Sequence, residues 1–141
     1  MYLDPHESLG FHCSLTYKVF VNAINTRLKS TGVSSAQYVA LAHLIALGPI
    51  SQAELANRLA ITAATTVRLI DRMERDEWVI RKINPNDGRI KQVVLTKKAV
   101  RLWAKLSKIA RDMLNQAYKN IPPDDIEKVK SVLEQVRQNI I

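Results

Sequence analysis

Between Ser51 and Leu95 the spacing of apolar residues changes character twice, and each change predicts an element. Ser51-Gln52-Ala53-Glu54 has the form of a capping box, with the Ser51 hydroxyl taking the Glu54 amide and the Glu54 carboxylate reaching back. Leu55, Ala56 and Leu59 then fall at i, i+1 and i+4, one face of a helix that should run to about Leu59. After Ala60-Ile61, Thr62 is placed to cap a second helix reaching about Asp76. Its expected inward stripe is Val67, Ile70 and Met73; the opposite stripe is Thr62, Thr65, Arg68 (or Leu69) and Arg72, with Thr66 beside them. Residues 78–83 and 90–95 are rich in β-formers and flank Pro85-Asn86-Asp87-Gly88, which is turn chemistry. Two short capped helices leading into a hairpin are the order of a winged helix-turn-helix.

The flanking segments read as helices with too much apolar surface. Residues 8–30 place Phe11, Leu15, Val19, Phe20, Ile24 and Leu28 on more than one face, ahead of a C-cap signal at Gly32. Residues 1–7 read as a loose arm. A capping box from Ser34 to Gln37 opens a helix that Gly48-Pro49 ends; its body YVALAHLIAL is apolar nearly all round and predicts a buried hub. Beyond the hairpin, Thr96 caps a helix to about Asn120, about 37 Å long at the helical rise. Its stripe is Trp103, Leu106, Ile109, Ala110, Met113, Ala117 and Tyr118. Pro122-Pro123-Asp124-Asp125 starts the last helix, with proline in the first turn and acids at the positive end of the dipole. There Ile126, Val129, Leu133, Val136 and Ile140 repeat at helical spacing. A two-fold homodimer that intertwines the terminal segments is the economical way to cover these stripes.

Composition narrows the partners. The chain has 141 residues, 47% of them hydrophobic, enough for one domain with a real core. Its formal charge is +8, from 21 Lys and Arg against 13 Asp and Glu, and the bases concentrate in residues 68–98 rather than along one face of an amphipathic helix. That favours nucleic acid over an acidic membrane surface. No stretch approaches the roughly 18 apolar residues of a membrane span, and MYLDPHESLG lacks the form of a signal peptide, so a cytoplasmic protein is expected. Cys13 alone makes neither a disulfide nor a multi-cysteine zinc site, and His6, His12 and His43 show no ligand spacing. With no Gly-rich phosphate loop and no GxSxG, the expectation is no metal, no cofactor and no enzymatic activity.

The hairpin sharpens this. Arg81, Lys82, Arg89 and Lys91 stand along it with the single acid Asp87. The helix ending TVRLIDRME, the hairpin opening VIRK, the wing Asp87-Gly88-Arg89 and the exit VVLTKKA together resemble the MarR family of transcription regulators, most strongly over residues 33–101. The resemblance implies a mainly α fold with a small β-hairpin wing. Residues 33–95 would form the DNA-binding lobe, and residues 8–30 and 96–141 the dimerisation helices. It implies a repressor that binds a pseudo-palindromic site on double-stranded DNA. Thr62, Thr65, Thr66, Arg68 and Arg72 would lie in the major groove or on its phosphates, Arg89 and Lys91 on the adjacent backbone or minor groove, and Asp87 would orient the wing or its arginine. The rival reading is a winged-helix protein-interaction module.

Three further expectations come with the resemblance. Relatives of this kind respond to small aromatic ligands in the crevice between dimer helices and DNA-binding lobe, for which His12, Tyr17, Tyr38 and His43 are the candidates here. In the peroxide-sensing branch a cysteine sits within an LCF motif, whereas this chain has Leu9-Gly10-Phe11 and carries Cys13 a turn later, where burial among apolar neighbours would leave it inert. Finally, Glu77 replaces a glycine between recognition helix and hairpin. A left-handed C-cap costs other residues roughly 1 kcal/mol, which leaves the helix end and the wing angle open.

Overall fold

The computed structural model describes residues 4–141, so the first three residues of the expected N-terminal arm lie outside the described residues. Pro5–Glu7 forms a single 3-10 turn capped by the Asp4 carboxylate. Among the described residues there follow α1 (Leu9–Leu28), α2 (Ser35–Leu47), β1 (Ile50–Ser51), α3 (Gln52–Leu59), α4 (Ala63–Arg75), β2 (Val79–Asn84), β3 (Asp87–Leu95), α5 (Lys97–Ala117) and α6 (Pro123–Ile140).

Local chemistry sets most of these boundaries. Ser8 caps α1 by accepting the Phe11 amide, and Gly32, at φ 74°, closes the turn that follows the helix. Both bonds of the Ser34–Gln37 capping box are present at α2, and Gly48, at φ 75°, ends it. At α3 only half of the expected box forms. Ser51 Oγ accepts the Glu54 amide at 3.1 Å, but Glu54 turns its carboxylate to Arg58, 2.9 Å away, because Ser51 is drawn into a strand opposite Gln92. Thr96 caps α5 by accepting the Ala99 amide. That helix ends at Ala117 rather than Asn120, whose φ of 63° belongs to the following turn.

The sheet is antiparallel in the order β1-β3-β2, so β3 is the central strand. β1 is an element that periodicity could not show, since two residues carry no pattern. β3 begins at Asp87, earlier than the expected residue 90, which shrinks the connection from β2 to Pro85-Asn86 and places an irregularity between Ile83 and Asn84.

The chain divides into two compact units, one running to Ile109 and the other from Ala110 to Ile141. In the first, Leu28, Leu41, Leu44, Leu55, Ile70, Met73, Val79, Val93 and Leu106 are almost wholly buried, which brings α1 to α5 and the sheet around one core. α2 is a hub on one side only: Ala40, Leu41 and Leu44 are buried, whereas Val39, Ile45 and Leu47 are exposed. α1 buries only Ile24 and Leu28 and leaves Leu9, Leu15, Tyr17 and Val19 exposed. In the second unit no residue of α6 is buried, and Val129 and Ile140 stand in the open. No helix among the described residues is long and apolar enough to cross a membrane.

Candidate nucleic-acid interface

α3 and α4 are joined by a turn that depends on one left-handed residue. Ala60 sits at φ 55°, and the amides of Ala60 and Ile61 both return to the Ala56 carbonyl, so the chain reverses within two residues and delivers Thr62 to the start of α4. Thr62 Oγ1 accepts the Thr65 amide at 3.1 Å and so satisfies one of the unpaired donors of the first turn.

The inward face of α4 is Thr66, Leu69, Ile70 and Met73, all buried at i, i+3, i+4 and i+7. This corrects the expected stripe in three places. Val67, expected inside, is 38% exposed, and Leu69, offered as an outward residue, is buried. Thr66, placed with the DNA-facing set, is 0% exposed and donates its hydroxyl to the Thr62 carbonyl at 2.9 Å. A threonine satisfied by the carbonyl four residues back carries no unmet polar group into the core. It has no free hydroxyl to offer a ligand.

The remaining outward residues form a line. The Thr62 hydroxyl donates to Thr65 Oγ1 at 2.9 Å, and Arg68 lies 3.5 Å from the same oxygen. Arg72 follows one turn later, and all four are exposed. The intrahelical pairs that would make this an ordinary solvated surface, Arg72 with Asp76 and Arg75 with Asp71, do not form. Asp71 is held by Arg81 at 2.7 Å, and Asp76 takes Arg75 at 3.3 Å and the Gln37 side-chain amide at 3.4 Å. The Arg75 hydrogen bond is the largest influence holding the Asp76 carboxyl below its ordinary pKa. Among the described residues Arg68 and Arg72 enter no ion pair.

The end of α4 fixes where the hairpin begins. The Trp78 amide returns to the Met73 carbonyl at 2.8 Å and the Glu77 amide to the Glu74 carbonyl at 3.0 Å, the bond pair of a Schellman motif. Its left-handed position is Glu77 at φ 65°, so the helix closes as it would with glycine, and the question left by the sequence is answered by backbone strain. Thr96 Oγ1 donates to the Glu77 carbonyl at 2.7 Å. Lys98 donates to the Asp76 carbonyl at 3.2 Å and lies 4.6 Å over the ring of buried Trp78, which puts a cation at the negative end of the α4 dipole.

The wing separates its bases. Arg81 is not a surface base. Its side chain is only 17% exposed and contacts Asp71, Glu74 at 3.1 Å, Gln52 at 3.0 Å and the Val67 carbonyl at 3.4 Å. Lys82 and Lys91 are exposed, and the Arg89 side chain is 92% exposed at the tip. Asp87 Oδ1 accepts the Arg89 amide at 3.0 Å and its Nε at 3.3 Å. These bonds, the backbone one first, hold the Asp87 carboxyl below its ordinary pKa.

The effector candidates lie on α1 and α2. Tyr38 stacks on Trp103 with centroids 5.5 Å apart, His43 Nδ1 is 2.8 Å from the Val39 carbonyl, His12 Nε2 is 2.7 Å from the His6 carbonyl, and Tyr17 is 70% exposed. Cys13 is exposed, contrary to the expected burial, because residues 12–19 of α1 are exposed on every face of the helix.

Compared with known proteins, residues 33–91 match the MarR family. The chain is 33% identical over 90 residues to the uncharacterized HTH-type transcriptional regulator YwoH of Bacillus subtilis (strain 168), a match that spans 64% of this chain and 65% of that protein. A MarR transcriptional regulator from Methanosarcina mazei Go1 superposes with TM-score 0.82 at 25% identity, covering 93% of this chain and 94% of that one.

Residues 33–91 thus form a MarR-like segment within a fold shared with the Methanosarcina regulator.

A mutant MarR of E. coli complexed with operator DNA has the same fold, with TM-score 0.84 at 24% identity over 91% of this chain and 92% of that one. Sequence reasoning missed two features, one on α4 and one on β2. Ala63 and Ala64 are exposed beside Thr62 and Thr65, and small residues there permit close approach; the pair stands directly after the cap, where it could have been read. The tertiary role of Arg81 had only one sequence signal, the acids Asp71 and Glu74 one turn apart on a helix that leads into it.

Proposed function

We propose that this chain is a MarR-like, sequence-specific DNA-binding transcription regulator, a repressor, that acts as a homodimer on a pseudo-palindromic duplex. One observation carries the reading: the exposed line Thr62, Thr65, Arg68 and Arg72, in which neither arginine is neutralised although Asp71 and Asp76 lie within reach along the same helix. Unpaired guanidinium groups beyond short hydroxyl donors at the N-terminal half of a helix suit base edges and phosphates of the major groove. Arg89 and Lys91 would follow the flanking backbone or minor groove, with Asp87 setting the rotamer of Arg89. Residues 33–95 form the DNA-binding lobe in this reading. The apolar faces of α1 and of α6 are each assigned to dimerisation, since a monomer would leave the exposed apolar residues of both helices in water. A small aromatic effector is the ligand class that suits His12, Tyr17, Tyr38 and His43, and Tyr38 already stacks on one flat aromatic ring.

The test is binding to duplex DNA across a salt series. Affinity should fall linearly in log–log form, with a slope set by the number of phosphates neutralised, and a duplex selected from a random pool should be two-fold symmetric. A protein that binds no duplex at low salt would be an interaction module instead.

A further inference from the structure

Arg81 sits at the opening of the wing, far from its tip, and its guanidinium engages α3, α4 and the main chain at once. Nε meets Gln52, one terminal nitrogen meets Glu74, and the other meets Asp71 and the Val67 carbonyl. The planar fork of arginine suits this many simultaneous acceptors, whereas a lysine offers one point charge.

The two carboxylates have alternatives. On a helix, Asp71 neighbours Arg68 three residues before it and Arg75 four residues after it, and charges at those spacings attract. Arg72 is exposed on the neighbouring flank of the helix, away from Glu74. Asp71 is 60% and Glu74 45% exposed, so neither is walled in by packing if Arg81 is removed. They are also negative charges on the helix proposed to approach phosphates, where an uncompensated carboxylate repels.

We propose that Arg81 is a positioning residue for DNA recognition. By holding Asp71 and Glu74 against the wing, it keeps these acids off the DNA-facing surface and leaves Arg68 and Arg72 free for the duplex. The role rests on the DNA-binding reading above. Arg81 itself touches no DNA in this scheme; it acts through the two acids, and its removal has two costs. Asp71 would recapture Arg68 or Arg75, and the unmatched negative charge of Asp71 and Glu74 would stand near the phosphates, at two half-sites per dimer.

The experiment compares full-length wild type, Arg81→Met, and Arg81→Met/Asp71→Asn/Glu74→Gln, each verified as folded by circular dichroism. The probe is a duplex selected by the wild-type protein from a random-sequence pool. Arg81→Met should weaken binding about tenfold or more at low salt, because like charge is exposed at both half-sites. The triple variant should recover to within about threefold of wild type, since the acids through which Arg81 acts are then neutral. Should Arg81→Met not fold, Arg81→Lys replaces it; it should lose affinity less severely, and the same two neutralisations should restore it. A triple variant no better than Arg81→Met would overturn the proposal, because a residue needed only for packing is not rescued by removing charges elsewhere. Arg81→Met binding as tightly as wild type would overturn it too. A wild-type protein that selects no duplex would instead refute the DNA-binding reading on which the proposal rests.

Discussion

Replacing Glu77 by glycine should make the protein more stable. The residue holds φ at 65°, a region in which an L side chain costs roughly 1–2 kcal/mol relative to right-handed backbone. Two terms oppose the gain. Glycine in the unfolded chain has more freedom to lose, about 0.5–1 kcal/mol. The Glu77 carboxylate also lies 3.8 Å from the Lys98 ammonium, but at 77% exposure such a pair is worth only a few tenths of a kcal/mol. The net expectation is a stabilisation of about 0.2–0.7 kcal/mol, and for a chain of this length roughly 1–3 °C in Tm. The backbone bonds of the motif, from Trp78 to Met73 and from Glu77 to Glu74, do not involve the side chain and should survive.

The assay is urea and thermal unfolding of Glu77→Gly, Glu77→Ala and wild type at one protomer concentration, because assembly would make Tm concentration-dependent. Glu77→Ala is the informative control. It loses the Lys98 pair but keeps the Cβ that makes the left-handed conformation costly, so it should be no more stable than wild type. If alanine stabilises as much as glycine, the benefit comes from removing charge, and the argument from backbone strain fails.

Four further outcomes follow from the same structure. Arg68→Ala should lose preference for a selected duplex over a scrambled one, by about 1–3 kcal/mol if its guanidinium reads a guanine, while keeping much of its non-specific binding; equal loss on both duplexes in a titration would make Arg68 a phosphate anchor. Arg89→Ala should weaken all duplexes together and reduce the slope of log affinity against log salt by about 2 for a dimer, measured by fluorescence anisotropy. Light scattering at micromolar concentration should give a dimer, since a stable 16.0 kDa monomer would leave the apolar faces of α1 and α6 in water. The lowered pKa of Asp87 means that its contribution to wing order is complete above the ordinary carboxylate range and is lost as pH falls through the lowered value; hydrogen exchange at the Arg89 amide should stay protected through the ordinary carboxylate range and lose protection only at lower pH, a step absent in Asp87→Asn.

What could be read from the sequence was local. Ser34 with Gln37, Ser51, Thr62 and Thr96 each cap a helix within three residues, and a cap places a helix start almost regardless of what packs around it. The order of helices and hairpin followed from such signals together with turn residues. β1 escaped because its two residues acquire strand geometry only by pairing with Val93 and Gln92, more than forty positions away. The exposure of Cys13 escaped for a similar reason: apolar neighbours along α1 suggested burial, but most of that helix's apolar surface faces away from the core.

The inward face of α4 shows where apolar periodicity misleads. Choosing Val67 over Thr66 assumes that a hydroxyl avoids the core, yet Thr66 satisfies itself on the Thr62 carbonyl, so the cost of burying it largely vanishes. Once Thr66 turns inward with Ile70 and Met73, the helix is rotated from the expected setting, and Val67 moves toward the flank where its carbonyl meets Arg81. That rotation also carries Asp71 and Glu74 to the wing side and leaves Arg68 and Arg72 outward. A small error in one buried residue therefore hides which charges meet the wing, even though Arg68 and Arg72 stay outward as expected. Charge identity alone could not separate the arginine that holds the wing from those that face solvent, because the distinction lies in which face of α4 the core selects.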